Sequence, residues 1–152
     1  MARTPFAALG LIALCAGPAA CGPGGAGRSA VPPIVGTWVV RAPGAPFPLH
    51  MFVFHADGTV EQSNPDAGDP STSDSNLMGA WVREGAAVRG KAVEITADRT
   101  THQLVSRGEV AFSLKVEGDA FSGTASATFY DADGRRLRGP VQTALDGQRV
   151  LP

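Results

Sequence analysis

Residues 34–41 read Ile-Val-Gly-Thr-Trp-Val-Val-Arg, and the reading of this stretch decides the fold. In an extended chain Ile34, Gly36, Trp38 and Val40 share one face, while Val35, Thr37 and Val39 share the other. β-Branched residues flank the indole, which favours strand over helix in so short a run. Gly36 lets a neighbouring group come close, and Trp38 carries the largest apolar surface of any side chain. A small residue two positions before a buried Trp is one way to begin a barrel.

Downstream, the chain reads as short strands joined by turns. Residues 42–48 hold three prolines and a glycine and form a loop. Residues 49–55 are a second strand, apolar on both faces, and Asp57-Gly58 turns it into a third, residues 59–63. Residues 64–76, rich in Ser, Asp, Pro and Gly, are the longest loop. A fourth strand covers 77–83 and a fifth 87–97, with a bulge or bend expected at Gly90. Residues 98–108 carry no clear period and read as a loop with room for one helical turn. Residues 109–117 alternate cleanly, with Val110, Phe112, Leu114 and Val116 on one face. Gly118-Asp119 turns into residues 120–130, and a last strand spans 141–151, interrupted at Asp146-Gly147. Eight short strands without a convincing helix predict an all-β fold. The expected form is an eight-stranded antiparallel up-and-down barrel, with a sandwich as the alternative.

Composition narrows the function classes. The 152 residues include 19 Gly and 12 Pro, which suits a turn-rich fold, and carry a net charge of −1. No Lys/Arg stripe interleaves with aromatics, so nucleic acid is not an expected partner. The cysteines, Cys15 and Cys21, both precede the domain, which therefore holds no disulfide, zinc-thiolate site or Cys nucleophile. His50 and His55 are five apart, on opposite faces of a regular strand, an arrangement unsuited to a shared metal. They and His102 read as surface or rim histidines. Asp66, Asp69 and Asp74, and the Asp131-x-Asp133-Gly134 turn, lack the spacing of a calcium loop. No nucleophile elbow or phosphate-cradling loop is present, and neither metal nor cofactor is expected.

The N-terminus carries an address. Arg3, an apolar run at 6–16 and Pro18-Ala-Ala-Cys21-Gly22 resemble the bacterial lipoprotein signal, in which a small residue precedes the Cys that becomes the lipidated N-terminus. That pattern has Leu, Val or Ile where Pro18 stands, and plain secretion after cleavage at Ala20 is the alternative. The organisation expected is a signal peptide at 1–20, a Gly/Pro-rich tether at 21–33 and a barrel at 34–152. Lipidation at Cys21 would anchor the domain to a membrane of the cell envelope.

Gly36-Thr37-Trp38 at the first strand and Arg149 in the last resemble the signature of the lipocalin-like, or calycin, barrels. In that group the Trp closes one end and a basic residue of the final strand packs across it. The run Phe54-His-Ala-Asp-Gly-Thr59 resembles a hairpin of the same group. The chain lacks the disulfide and terminal helix of classical lipocalins, so a bacterial lipocalin-like lipoprotein is the closer description. The resemblance implies a non-enzymatic exported protein holding a small apolar molecule. Phe121, Gly123, Ala125, Ala127 and Phe129 share one face of their strand and form the expected inner wall, small residues at its centre and aromatics at its ends. Phe54, Trp81 and Phe112 complete the expected ligand-binding set. Three alternatives stay open: a barrel filled by its own side chains, an enzyme resembling allene oxide cyclase with Tyr130 or Glu94 as a polar handle, and a domain that docks on another envelope protein.

Overall fold

The computed structural model describes residues 33–63 and 69–152. The segments expected as signal peptide and tether, Cys21 included, lie outside the described residues apart from Pro33, as does the segment 64–68. Nine strands follow one another: β1 (Gly36–Arg41), β2 (Leu49–Phe54), β3 (Thr59–Ser63), β4 (Thr72–Asp74), β5 (Leu77–Glu84), β6 (Ala87–Asp98), β7 (Leu104–Glu117), β8 (Ala120–Tyr130) and β9 (Arg136–Arg149). All but β4 form a closed, eight-stranded antiparallel barrel of up-and-down topology. Closure comes from β1 against β9, with Trp38 opposite Arg149 and Val40 opposite Gly147. The described residues contain no helix.

The strands are unequal, and that inequality shapes the molecule. β1, β2 and β3 have 6, 6 and 5 residues, whereas β6 to β9 have 12, 14, 11 and 14. At about 3.4 Å per residue the long strands rise well beyond the short ones and form a tall wall on one side. β4 pairs with the overhang of β6 through Asp74 opposite Thr96 and Thr72 opposite Asp98. It thus takes the place beside β6 that β5 leaves empty.

Several boundaries differ from those the sequence suggests. Residues 104–108, expected as loop, belong to β7, because β6 and β8 both rise beside them and offer partners on either side. Only residues 99–103 remain a turn. β9 begins at Arg136 rather than 141 and runs without a break through Asp146-Gly147. Pro140 is accommodated at a register shift, where Ala127 pairs with Val141 and Phe129 already with Arg138. The first strand starts at Gly36, leaving Ile34 in a turn. β4 forms inside what reads as a polar loop, since the edge of β6 supplies its hydrogen-bonding partner.

Gly90 also departs from expectation. It pairs in regular register with Trp81 and Phe112, and the only shift between β6 and β7 lies at Thr96/Ala97. The glycine is there for contact: a Cβ would sit 2.2 Å from Cζ of Phe112. Gly147 does the same for Phe121, whose ring would lie 2.3 Å from an added Cβ. Aromatic rings therefore fill space that glycines vacate on neighbouring strands, a device that lets a small barrel coil tightly.

The end of the barrel at the starts of β1 and β6 is packed solid. Phe54 stands at its centre, edge-on to Trp81, Phe112 and Phe121 at centroid distances of 6.2, 6.0 and 6.4 Å. Trp38 meets Phe121 at 5.0 Å. Burial of each large ring contributes roughly 2–3 kcal/mol, so this cluster is the main apolar anchor of the fold. Both indoles satisfy their N–H groups. Trp38 Nε1 donates to Ile34 O at 2.8 Å, and Trp81 Nε1 is shared between His55 O and Thr59 O at 3.1 and 3.0 Å.

Arg149 seals this end. Its Cζ lies 4.2 Å from the Trp38 ring centroid, a cation over an indole face. Nη1 donates to Val35 O at 2.7 Å, Nη2 to Pro33 O, and Nε to Asp119 Oδ1 at 2.9 Å. Gly36, at φ +134°, makes room for the guanidinium, since a Cβ there would lie 2.7 Å from Nη1. One side chain thus ties the last strand to the chain just before the first.

Candidate functional site

The opposite half of the barrel is hollow. A cavity of about 790 Å³ occupies it. Its floor is the upper surface of the aromatic cluster and its neighbours: Phe52, Leu77, Phe112, Ala125 and Leu145, all buried. Its mouth is rimmed by exposed apolar residues, Val105, Leu137 and Val141. The 42–48 loop leans over one side, held by a hydrogen bond from Gly44 N to Thr143 Oγ1 at 2.9 Å.

Strand alternation explains why the wall has two characters. On β8 the inward set is Phe121, Gly123, Ala125, Ala127 and Phe129; the upper three line the cavity. The small side chains of Ala125 and Ala127 leave open the space that Phe121 fills lower down, and Phe129 stands above them. Val110 and Phe112 of β7 and Leu145 of β9 complete an apolar wall beside them. The facing wall, from β2, β3, β4, β6 and the top of β7, is polar: His50, Gln62, Asp74, Glu94, Thr96 and Ser106.

His50 and Gln62 form the deep part of the polar wall, and both are buried. Gln62 Nε2 lies 3.0 Å from His50 Nδ1, and His50 Nε2 lies 2.9 Å from Phe47 O. The amide donating to Nδ1 leaves Nε2–H to donate to the carbonyl, so one neutral tautomer satisfies both bonds. His50 is thus a cavity-wall residue and not a surface histidine. β2 is apolar on both faces, and the barrel selects His50, Phe52 and Phe54 as the inward set while Leu49 and Met51 stay exposed. His55 lies at the other end of the strand, beside Glu61.

Nearer the mouth, Asp74, Thr96 and Ser106 stand in one row, because Thr96 pairs with both of the others. Thr96 Oγ1 donates to Asp74 Oδ1 at 2.6 Å. One step deeper, Glu94 pairs with Gly108, and its side chain lies across the space the glycine leaves, 2.9 Å from where a Cβ would be. Phe129 covers Gly108 from the other side, and the Arg138 guanidinium stacks on Phe129 with Cζ 4.2 Å from the ring centroid. At the rim, Asp69 Oδ1 accepts from the Ser71 hydroxyl and N–H at 2.6 and 2.8 Å, which holds its carboxyl below the ordinary range.

Of the residues the sequence proposes as ligand contacts, Phe112, Ala125 and Phe129 line this cavity. Phe54, Trp81 and Phe121 belong to the packed end. Gly123 lies at the boundary and serves a close approach of strands: a Cβ would be 2.1 Å from Ser113 O. Tyr130 lies under Arg107, whose Cζ is 5.3 Å from its ring centroid. Glu94, a polar handle the sequence offers, lines the cavity, whereas the rest of the polar wall was not legible, since isolated Gln, Thr and Ser residues on separate strands carry no motif. No family model, curated protein or solved structure matches the chain, so the site is read from its own geometry.

Proposed function

We propose that the protein is a non-enzymatic binder that holds a small, largely apolar molecule in the hollow half of its barrel. The observation that carries this reading is the division of the interior. One half is filled by an aromatic cluster sealed by Arg149, and the other holds a cavity of about 790 Å³ with an apolar floor. Ligand pockets in proteins are commonly about 300–1,000 Å³, mostly apolar, with a few placed polar groups. A filled barrel that works only through its outer surface would have no need of such an interior. The closed barrel, the Trp38–Arg149 seal and the Gly36 clearance also support kinship with lipocalin-like barrels, whose members enclose small molecules. With Cys21 lipidated, the domain would act at a membrane surface of the envelope, tethered by the residues before Pro33.

The test is mass spectrometry of the protein, purified from its native host, under non-denaturing conditions. A small molecule retained in the native spectrum and lost on denaturation is the expected result. A bare mass, together with no uptake of any probe from an apolar panel, would refute the binding function. Membrane partition of Cys21→Ser tests the anchor separately: release into the soluble fraction is expected, and unchanged partition would refute lipidation.

A further inference from the structure

The polar row at the mouth has more to say about the ligand. Asp74, Thr96 and Ser106 are in register on three adjacent strands, with Thr96 in the middle and about 5 Å between neighbouring Cβ atoms. Thr96 bonds one oxygen of Asp74; Oδ2 has no hydrogen-bond partner among the described residues. Ser106 is only 9% exposed, lines the cavity, and its hydroxyl makes no hydrogen bond among the described residues. Every fully buried side-chain polar atom among the described residues has a partner, so the unbonded Ser106 hydroxyl is one that the cavity keeps accessible. Glu94 adds a second carboxylate one step deeper, and Asp69 a third at the rim. Among the described residues that line the cavity the one cation is Arg138, exposed and already stacked on Phe129; Arg99, at the rim, spends its Nε on the carbonyls of Thr72 and Asp69.

The axial order matters as much as the charge. The floor is apolar and the row sits at the mouth, so an amphiphile enters tail first and leaves its head beside Asp74, Ser106 and Glu94. An anionic head would face like charges in a partly enclosed space, where they are poorly screened. From this geometry we infer that the preferred ligand is an amphiphile with a cationic, hydrogen-bond-donating head, such as a primary ammonium, on an apolar body. The inference rests on the binding function proposed above. The ammonium would donate to Asp74 Oδ2 and Ser106 Oγ while the body covers Ala125, Ala127 and Phe112.

The experiment is a competition titration of the full chain, displacing an apolar fluorophore with decylamine, decanol and decanoate, all below micelle formation. Decylamine is expected to bind about ten-fold tighter than decanol, with decanoate weakest. In Asp74→Asn/Glu94→Gln the amine preference over decanol should fall to within about two-fold, and Ser106→Ala should lower it several-fold. Equal affinity for the three probes, or tightest binding of decanoate, would overturn the inference while leaving the binding function intact. A bound fluorophore that none of the three displaces would likewise overturn the inference and leave the binding function standing, whereas failure of the fluorophore and all three probes to bind would count against the binding function itself. The ranking on the unaltered protein decides the question even if a variant does not fold.

Discussion

Replacing Arg149 with Ala removes, in one step, the seal of the packed end. The cation over the Trp38 face, with Cζ 4.2 Å from the centroid, is worth about 1–2 kcal/mol at this mostly buried position. Loss of the charged hydrogen bond to Val35 O, 2.7 Å long, leaves a half-buried carbonyl without its donor and costs about 1.5 kcal/mol more. The ion pair with Asp119 adds little, because that carboxylate is 61% exposed and its partner's attraction is screened. The expected total is about 3 kcal/mol, read as a shift of the urea midpoint at constant slope. Arg149→Lys should recover about half of it, since an ammonium keeps the cation over the indole and loses the planar fork. Asp119→Ala should cost less than about 0.5 kcal/mol. A loss below about 1 kcal/mol for Arg149→Ala, or equal losses for Arg149→Ala and Asp119→Ala, would refute the assignment of the seal to the Trp38–Arg149 contact.

Ala127→Phe, which fills the cavity from its apolar wall, should weaken binding of an apolar fluorophore at least about ten-fold with little change in thermal midpoint. Gly123→Ala should do the reverse, destabilising the barrel by about 2 kcal/mol because its Cβ would meet Ser113 O at 2.1 Å. Trp81→Phe removes the donor that His55 O and Thr59 O share; both carbonyls keep backbone bonds, from Gly58 N and His55 N, so the cost in urea unfolding should be only about 1 kcal/mol. The β6–β7 turn predicts an acid limb. The N–H groups of Thr101 and Thr100, 2.7 and 2.8 Å from Asp98 Oδ1, hold that carboxyl below its ordinary 3.8. A depressed folded-state value stabilises fully above the unfolded value and is lost as pH falls through the folded one. Asp98→Asn should therefore flatten the decline of the urea midpoint below about pH 4, and an unchanged slope would refute the assignment.

The alternation of 109–117 and 120–130, the turn chemistry of Gly58, Gly118 and Gly134, and the run around Trp38 were enough to read an eight-stranded antiparallel barrel from the sequence. These are local signals: a period of two and a need for positive φ are carried by the residues themselves. Strand lengths were not local. Residues 104–108 and 136–140 lack alternation and become strand only because neighbouring strands rise beside them and supply hydrogen-bonding partners. Gly90 and Gly147 were visible as breaks in their strands and Gly123 as a small residue of an inner wall, yet their purpose was decided by rings and backbone from neighbouring strands.

The two halves of the interior follow the same division. That Phe54, Trp81, Phe112 and Phe121 are apolar and destined for burial is written in their chemistry. That they gather at one end, and leave Ala125 and Ala127 facing open space at the other, depends on register across six strand pairings. His50, Asp74, Thr96 and Ser106 are scattered over 57 positions of sequence and become one wall only through pairing of β2, β4, β6 and β7 with their neighbours. The sequence by itself determined the class of fold, because hydrophobic period and turn preference act over a few residues. The tertiary structure alone decided where the barrel is hollow and which polar groups face the cavity, because closure and stagger of the strands are properties of the whole sheet.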